Sequence, residues 1–190
     1  MKASIKREQI INVALNLFYK DGFNATGVEK IREAAEVSKK TLYNHFKSKD
    51  ELILAVLRRR DEQFRNNFMR AVERFADTPN GRLEAVFDAA HEWFNGNNFY
   101  GCMFINASAE FTALENPFHI VCAEHKKLMH QYVEKLARDA GAKDPAKLSE
   151  QLNLLIEGAT VHAHVCGDKN AALKAKEMGM VLIEDSVLGA

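Results

Sequence analysis

The sequence predicts an all-α protein, with a small N-terminal helical domain followed by a larger helical one. Three observations carry that prediction. Apolar residues recur at three- and four-residue steps through most of the chain, the period of one helix face. The three prolines, Pro79, Pro117 and Pro145, follow Thr78, Asn116 and Asp144, and each pair reads as an N-cap with proline in the first helical position. No alternating strand pattern, internal repeat or low-complexity stretch interrupts these signals.

A first helix, with Ser4 as its expected cap, carries Ile10, Ile11, Ala14, Leu15 and Phe18 on one side and stops at Asp21-Gly22. Thr26 with Glu29 has capping-box spacing, so a second helix is expected there, with Val28, Ile31 and Ala35 facing inward. Ser38 caps a third, short helix from Lys39, which ends before Ser48 and Glu51 open a fourth. That fourth helix is long, with Leu52, Ile53, Val56, Leu57, Phe64, Phe68, Val72 and Phe75 marking one side. The Pro signals place further helices at roughly 79–95, 117–140 and 145–166, with Gly141 and Gly167 as terminators. A short helix is expected within 101–110, and a final one over about 169–188.

Composition bounds the function. Of 190 residues, 47% are hydrophobic and 27% charged, which suits a globular chain and excludes a disordered one. No apolar run approaches the ~20 residues of a membrane span. MKASIKREQI has no apolar signal-peptide core, so a cytoplasmic location and no membrane partner are expected. Cys102, Cys122 and Cys166 are odd in number and lack zinc-ligand spacing, so reduced thiols are expected. The net charge is zero, yet residues 1–60 hold 13 Lys and Arg against 7 Asp and Glu, and the remainder holds 13 against 19. A basic N-terminal third is the footprint of phosphate binding, and the acidic remainder argues against a second nucleic-acid surface.

The basic third centres on VSKKTLYNHFKSK, Val37 to Lys49. Leu42 and Phe46 are four apart and anchor the short helix by one face. Lys39, Lys40, Thr41, Tyr43, Asn44 and His45 occupy the others. A short helix buried on one side and polar elsewhere, placed after a helix and a tight turn, suits insertion into a DNA major groove.

Residues 10 to 57 resemble the DNA-binding domain of the TetR family of bacterial transcriptional regulators. The resemblance rests on Ile10, Ala14, Leu17-Phe18, Gly22-Phe23, Thr26, Ile31, Ala34-Ala35, Val37-Ser38, Thr41-Leu42-Tyr43, His45-Phe46, Ser48-Lys49 and Leu52. It implies a helix–turn–helix DNA-binding domain over 1–47 and a helical effector-binding and dimerisation domain over 48–190. It also implies a homodimer on a palindromic double-stranded DNA operator, acting as a repressor that a small-molecule effector releases. By match to the family motif, Lys39, Lys40, Thr41 and Asn44 face bases, and Thr26, Tyr43, His45 and Lys49 contact phosphates. The family pattern puts the last two helices in a four-helix dimer interface; here they carry Leu152, Leu155, Ile156, Ala159, Val161, Ala163 and Val165, then Ala172, Ala175, Met178, Gly179, Val181, Leu182 and Val187, a periodicity that suits an intramolecular core equally.

For the effector pocket, an aromatic-rich stretch beside a few polar groups points to Trp93, Phe94, Phe99, Cys102, Met103, Asn106 and Glu110, with Cys122 and His162 added. The same residues also suit a helical core. Cys102 follows a glycine near a helix start, so a thiol-based electrophile sensor is an alternative; an effector-free DNA-binding protein is another. His119, Cys122 and His125 diverge around a helix, so no metal site is expected, and no cofactor is implied. Di-iron Glu-x-x-His pairs, nucleophile–base motifs and phosphate loops are missing from the sequence, so no enzyme is expected.

Overall fold

The computed structural model describes residues 2–187, with side chains from residue 5 onward. The described residues form nine helices and no strand: α1 Lys2–Asp21, α2 Val28–Ala34, α3 Lys39–His45, α4 Lys49–Phe75, α5 Pro79–Phe94, α6 Met103–Glu110, α7 Pro117–Asp139, α8 Pro145–Cys166 and α9 Ala171–Val187. The expected Ser4 cap lies outside the described side chains, and the helix already runs from Lys2.

The predicted punctuation is realised by specific bonds. Thr78 accepts from the Gly81 N–H at 3.1 Å, Asn116 from Phe118 at 2.9 Å, and Asp144 from Lys147 at 3.0 Å. Each satisfies a donor that the first helical turn would otherwise leave orphaned. Gly141 and Gly167 adopt φ of +79° and +70°, the left-handed conformation that lets a chain leave a helix. The second helix differs from expectation. Its N-cap is Gly27, with no side-chain cap bond. Thr26 stands one residue before that cap, and its hydroxyl donates to the Gly22 carbonyl at 2.7 Å. Glu29 instead pairs with Arg32 and Lys39, at 2.7 and 3.3 Å.

The helices form two compact units. The first comprises the chain up to Gln63 together with Met103–His125, so it holds α1–α3, the first half of α4, α6 and the start of α7. Ile10, Ala14, Phe18, Phe23, Ile31, Ala35, Leu42, Phe46, Leu52 and Val56 are fully or nearly fully buried. Each large one contributes roughly 1.5–3 kcal/mol. Rings run through this unit in sequence: Phe18 stacks on Phe23 at 5.0 Å, Phe23 meets Phe111 edge-on at 5.8 Å, and Phe111 lies 4.5 Å from Phe118.

The second unit comprises Phe64–Cys102 and the chain from Lys126 on. Val72, Leu83, Phe87, Phe94, Val133, Leu148, Leu152 and Ala172 form its core. Helix α9 packs on α5 and α8. A Cβ at Gly179 would stand 2.5 Å from Phe87 Cζ, so this residue is small to admit its own chain's α5. Leu152, Ala159, Ala163, Ala172 and Ala175 are likewise buried within the protomer. Those predicted interface residues are therefore core. The large apolar side chains that α8 and α9 leave exposed are Leu154, Val161, Val165, Leu173, Met178, Met180 and Val181.

Candidate nucleic-acid interface

The turn before α3 is built locally. Glu36 takes a positive φ of 49°, uncommon for a side chain with a Cβ. Val37 N–H closes on the Arg32 carbonyl at 3.2 Å. Gln9 reaches across from α1 to donate to the Ala35 carbonyl at 2.9 Å. Ser38 then caps α3, accepting from the Thr41 N–H at 3.1 Å and sharing a 2.8 Å bond with the Thr41 hydroxyl.

Leu42 and Phe46 pin α3 from beneath, at 2% and 0% exposure. Above them Lys39, Lys40, Tyr43 and Asn44 are exposed, while Thr41 and His45 are half-buried. The fixed face and the free face are thus those the sequence predicts. Lys39 is held by Glu29, whose carboxyl its hydrogen bonds to Arg32 and then Lys39 draw below the usual range. An exposed pair of this kind is worth little, so releasing Lys39 from it costs little.

At the far end of α3, Ser48 caps α4 through the Glu51 N–H at 3.1 Å, and Glu51 returns a bond to the Lys47 N–H at 2.8 Å. Lys49 is the first residue of α4, half-buried, with its ammonium 6.0 Å above the Phe18 ring. Thr26 departs from its predicted phosphate role: it is 0% exposed and its hydroxyl is committed to Gly22. Two participants escaped the sequence reading. Gln9 supports the turn, and Arg7 places its guanidinium 5.1 Å over the Phe46 ring, beside the end of α3. A helical position for Gln9 next to the buried Ile10 was the signal available for the first.

The predicted pocket residues divide between the two units. Trp93, Phe94 and Phe99 do meet, with centroids 5.2–5.5 Å apart, and Phe64 joins Trp93 at 4.7 Å. Cys102 belongs to the same unit, whereas Met103, Asn106, Glu110 and Cys122 belong to the other. Glu110 is engaged by the backbone N–H groups of Phe23 and Asn24, at 2.8 and 2.6 Å. His162 is exposed on α8, 3.6 Å from Asp168, and lines an apolar groove of about 370 Å³ with Leu154 and Met178. Neither is the polar group of an aromatic pocket. Cys102 immediately precedes α6, yet it is 8% exposed, which removes the accessibility that a reactive thiol requires. His119 donates from Nδ1 to the Phe111 carbonyl at 2.9 Å, and His125 sits 2.8 Å from Asp61.

Comparison with known proteins gives the same reading of both halves. Residues 10–56 match the family described as bacterial regulatory proteins, tetR family, and residues 79–178 match the tetracyclin repressor-like C-terminal domain. The chain is 23% identical over 154 residues to the transcriptional regulator YjdC of Escherichia coli, covering 81% of each. It is 28% identical over 128 residues to the transcriptional repressor DhaR of a Mycobacterium species, covering 67% of this chain and 62% of DhaR. Its fold superposes on a TetR-family transcriptional regulator of Streptomyces coelicolor with a TM-score of 0.89, at 26% identity and 97% coverage of both chains.

Proposed function

We propose, from the premise that the chain belongs to the TetR family of bacterial regulatory proteins, that it is a homodimeric repressor released from its operator by a small-molecule effector. It is a DNA-binding transcriptional regulator; the repressor sign, the dimer and the effector are the proposed parts. The observation that carries the reading is α3, pinned by Leu42 and Phe46 and presenting Lys39, Lys40, Tyr43 and Asn44 to solvent. Lys39, Lys40, Thr41 and Asn44 read base edges, and Tyr43, His45 and Lys49 hold phosphates. Thr26 contributes by shaping the turn from below.

Two copies are needed because one short helix reads only one half-site. The bare apolar side chains of α8 and α9, Leu154, Val165 and Val181 among them at 67%, 75% and 65% exposure, support that face as the one the second copy covers. No described helix is long and apolar enough to cross a membrane, and the named relatives support a cytoplasmic regulator. The cluster of Phe64, Trp93 and Phe99 supports an effector site in the second unit. The name of DhaR supports repression. A gel-shift titration tests the whole: the protein should retard a duplex selected from a randomised pool, and candidate small molecules should release it. A chain that selects no sequence from the pool is not such a regulator.

A further inference from the structure

Glu110 is the last residue of α6, where a negative charge opposes the helix dipole and gains nothing from it. Its carboxylate is instead spent on two consecutive backbone donors: Oε1 accepts from Phe23 N–H at 2.8 Å and Oε2 from Asn24 N–H at 2.6 Å. Both donors lie in the turn between α1 and α2. Charge-assisted bonds of this length are about twice as strong as neutral ones. The turn is shaped to receive them. Gly22 has φ +87°, and a Cβ there would stand 3.1 Å from Glu110 Oε1. The next residue of α6's chain, Phe111, packs its ring edge-on against Phe23, which is 0% exposed. The same turn holds Thr26 by its bond to the Gly22 carbonyl, and so sets where α2 begins.

We propose that Glu110 is a positioning residue for DNA binding: its carboxylate latches the α1–α2 turn to α6, so that the pose of the helix–turn–helix depends on the state of α6. The inference rests on the reading of α3 as a DNA-binding helix. Through this latch the coupling is reciprocal, so operator DNA must stabilise α6 as much as α6 stabilises the operator-bound pose.

The test uses the full chain, Glu110→Gln and Glu110→Ala, with a duplex selected by the wild-type protein from a randomised pool. Gln keeps the shape, but its amide offers one acceptor and turns a donor toward the second N–H. Operator affinity should fall roughly tenfold, while circular dichroism and the melting curve stay close to wild type. Hydrogen exchange should quicken at Phe23 and Asn24 in both variants. Saturating duplex should slow exchange across α6 in the wild type and leave it unchanged in Glu110→Gln. Equal affinity in wild type and variants, or an α6 response that survives the substitution, overturns the latch alone. Loss of the whole fold in both variants also overturns it, since the residue is then a stability element. A wild-type chain that selects no duplex overturns the DNA reading, and this inference falls with it.

Discussion

His125 Nδ1 lies 2.8 Å from Asp61 Oδ1, an imidazole of α7 joined to a carboxylate of α4 across 64 positions of chain. The His125 side chain is 3% exposed and that of Asp61 17%. The ring stacks on Phe104 of α6 at 3.7 Å, so one histidine ties α4, α6 and α7 together inside the first unit. A buried polar group that loses its partner bears its desolvation cost alone.

Asp61→Asn should therefore destabilise the protein by about 1–3 kcal/mol in urea unfolding. A double-mutant cycle with His125→Phe should show coupling above roughly 0.5 kcal/mol. Strict additivity would mean that the two side chains do not depend on each other.

The α3 face makes separable predictions. Lys49→Ala should weaken binding to every duplex alike and lower the salt slope by about 1, as expected for a lost phosphate contact. Lys40→Ala or Asn44→Ala should relax preference at particular operator positions by ~1–3 kcal/mol and leave the other positions as they were. Selection from a randomised pool reads both effects. An unchanged consensus for Lys40→Ala and Asn44→Ala would take those residues off the base-reading face.

What was legible in the sequence is what is chemically local. Thr78, Asn116 and Asp144 cap helices because the donor each satisfies is two or three residues away, and Ser38 fixes α3 in the same manner. The exposed face of α3 follows from Leu42 and Phe46 alone. Contacts distant in sequence were not legible. Glu110 reads as a polar group beside aromatics, and only the fold carries it to Phe23 and Asn24, more than 80 residues upstream. Thr26 and Glu29 have capping-box spacing, but a nearby carbonyl and two cations offer better partners. Apolar spacing on α8 and α9 likewise cannot separate a face turned to Phe87 from one turned to solvent.

That last distinction sharpens a test of assembly. Val181 is 65% exposed in the protomer, so Val181→Glu should change the stability of a single folded chain by no more than about 0.5 kcal/mol. If a second copy covers this face, the same carboxylate becomes buried without a partner, at several kcal/mol. The expected result in sedimentation is a folded monomer, with operator binding reduced to that of one half-site. An intact dimer would place Val181 outside the interface.

Tyr132 offers a test of opposite sign, because its removal should help. Its hydroxyl oxygen is buried with no hydrogen-bond partner among the described residues. Burial, and then the negative charge of Glu73, push the phenol from 10.0 up to about 12, against a smaller opposing effect of Arg82. The folded chain thus keeps a proton that the unfolded chain gives up. Whatever stability this difference holds is complete below pH 10.0 and is lost as pH rises toward about 12. Tyr132→Phe removes both the orphaned hydroxyl and the titration. It should raise stability by about 1 kcal/mol near neutrality, and its advantage over wild type should widen at alkaline pH. Urea midpoints of the two proteins at about pH 8 and about pH 11 measure it. A Phe variant that is less stable at both would mean that the hydroxyl has a partner in solution, a bound water being the simplest.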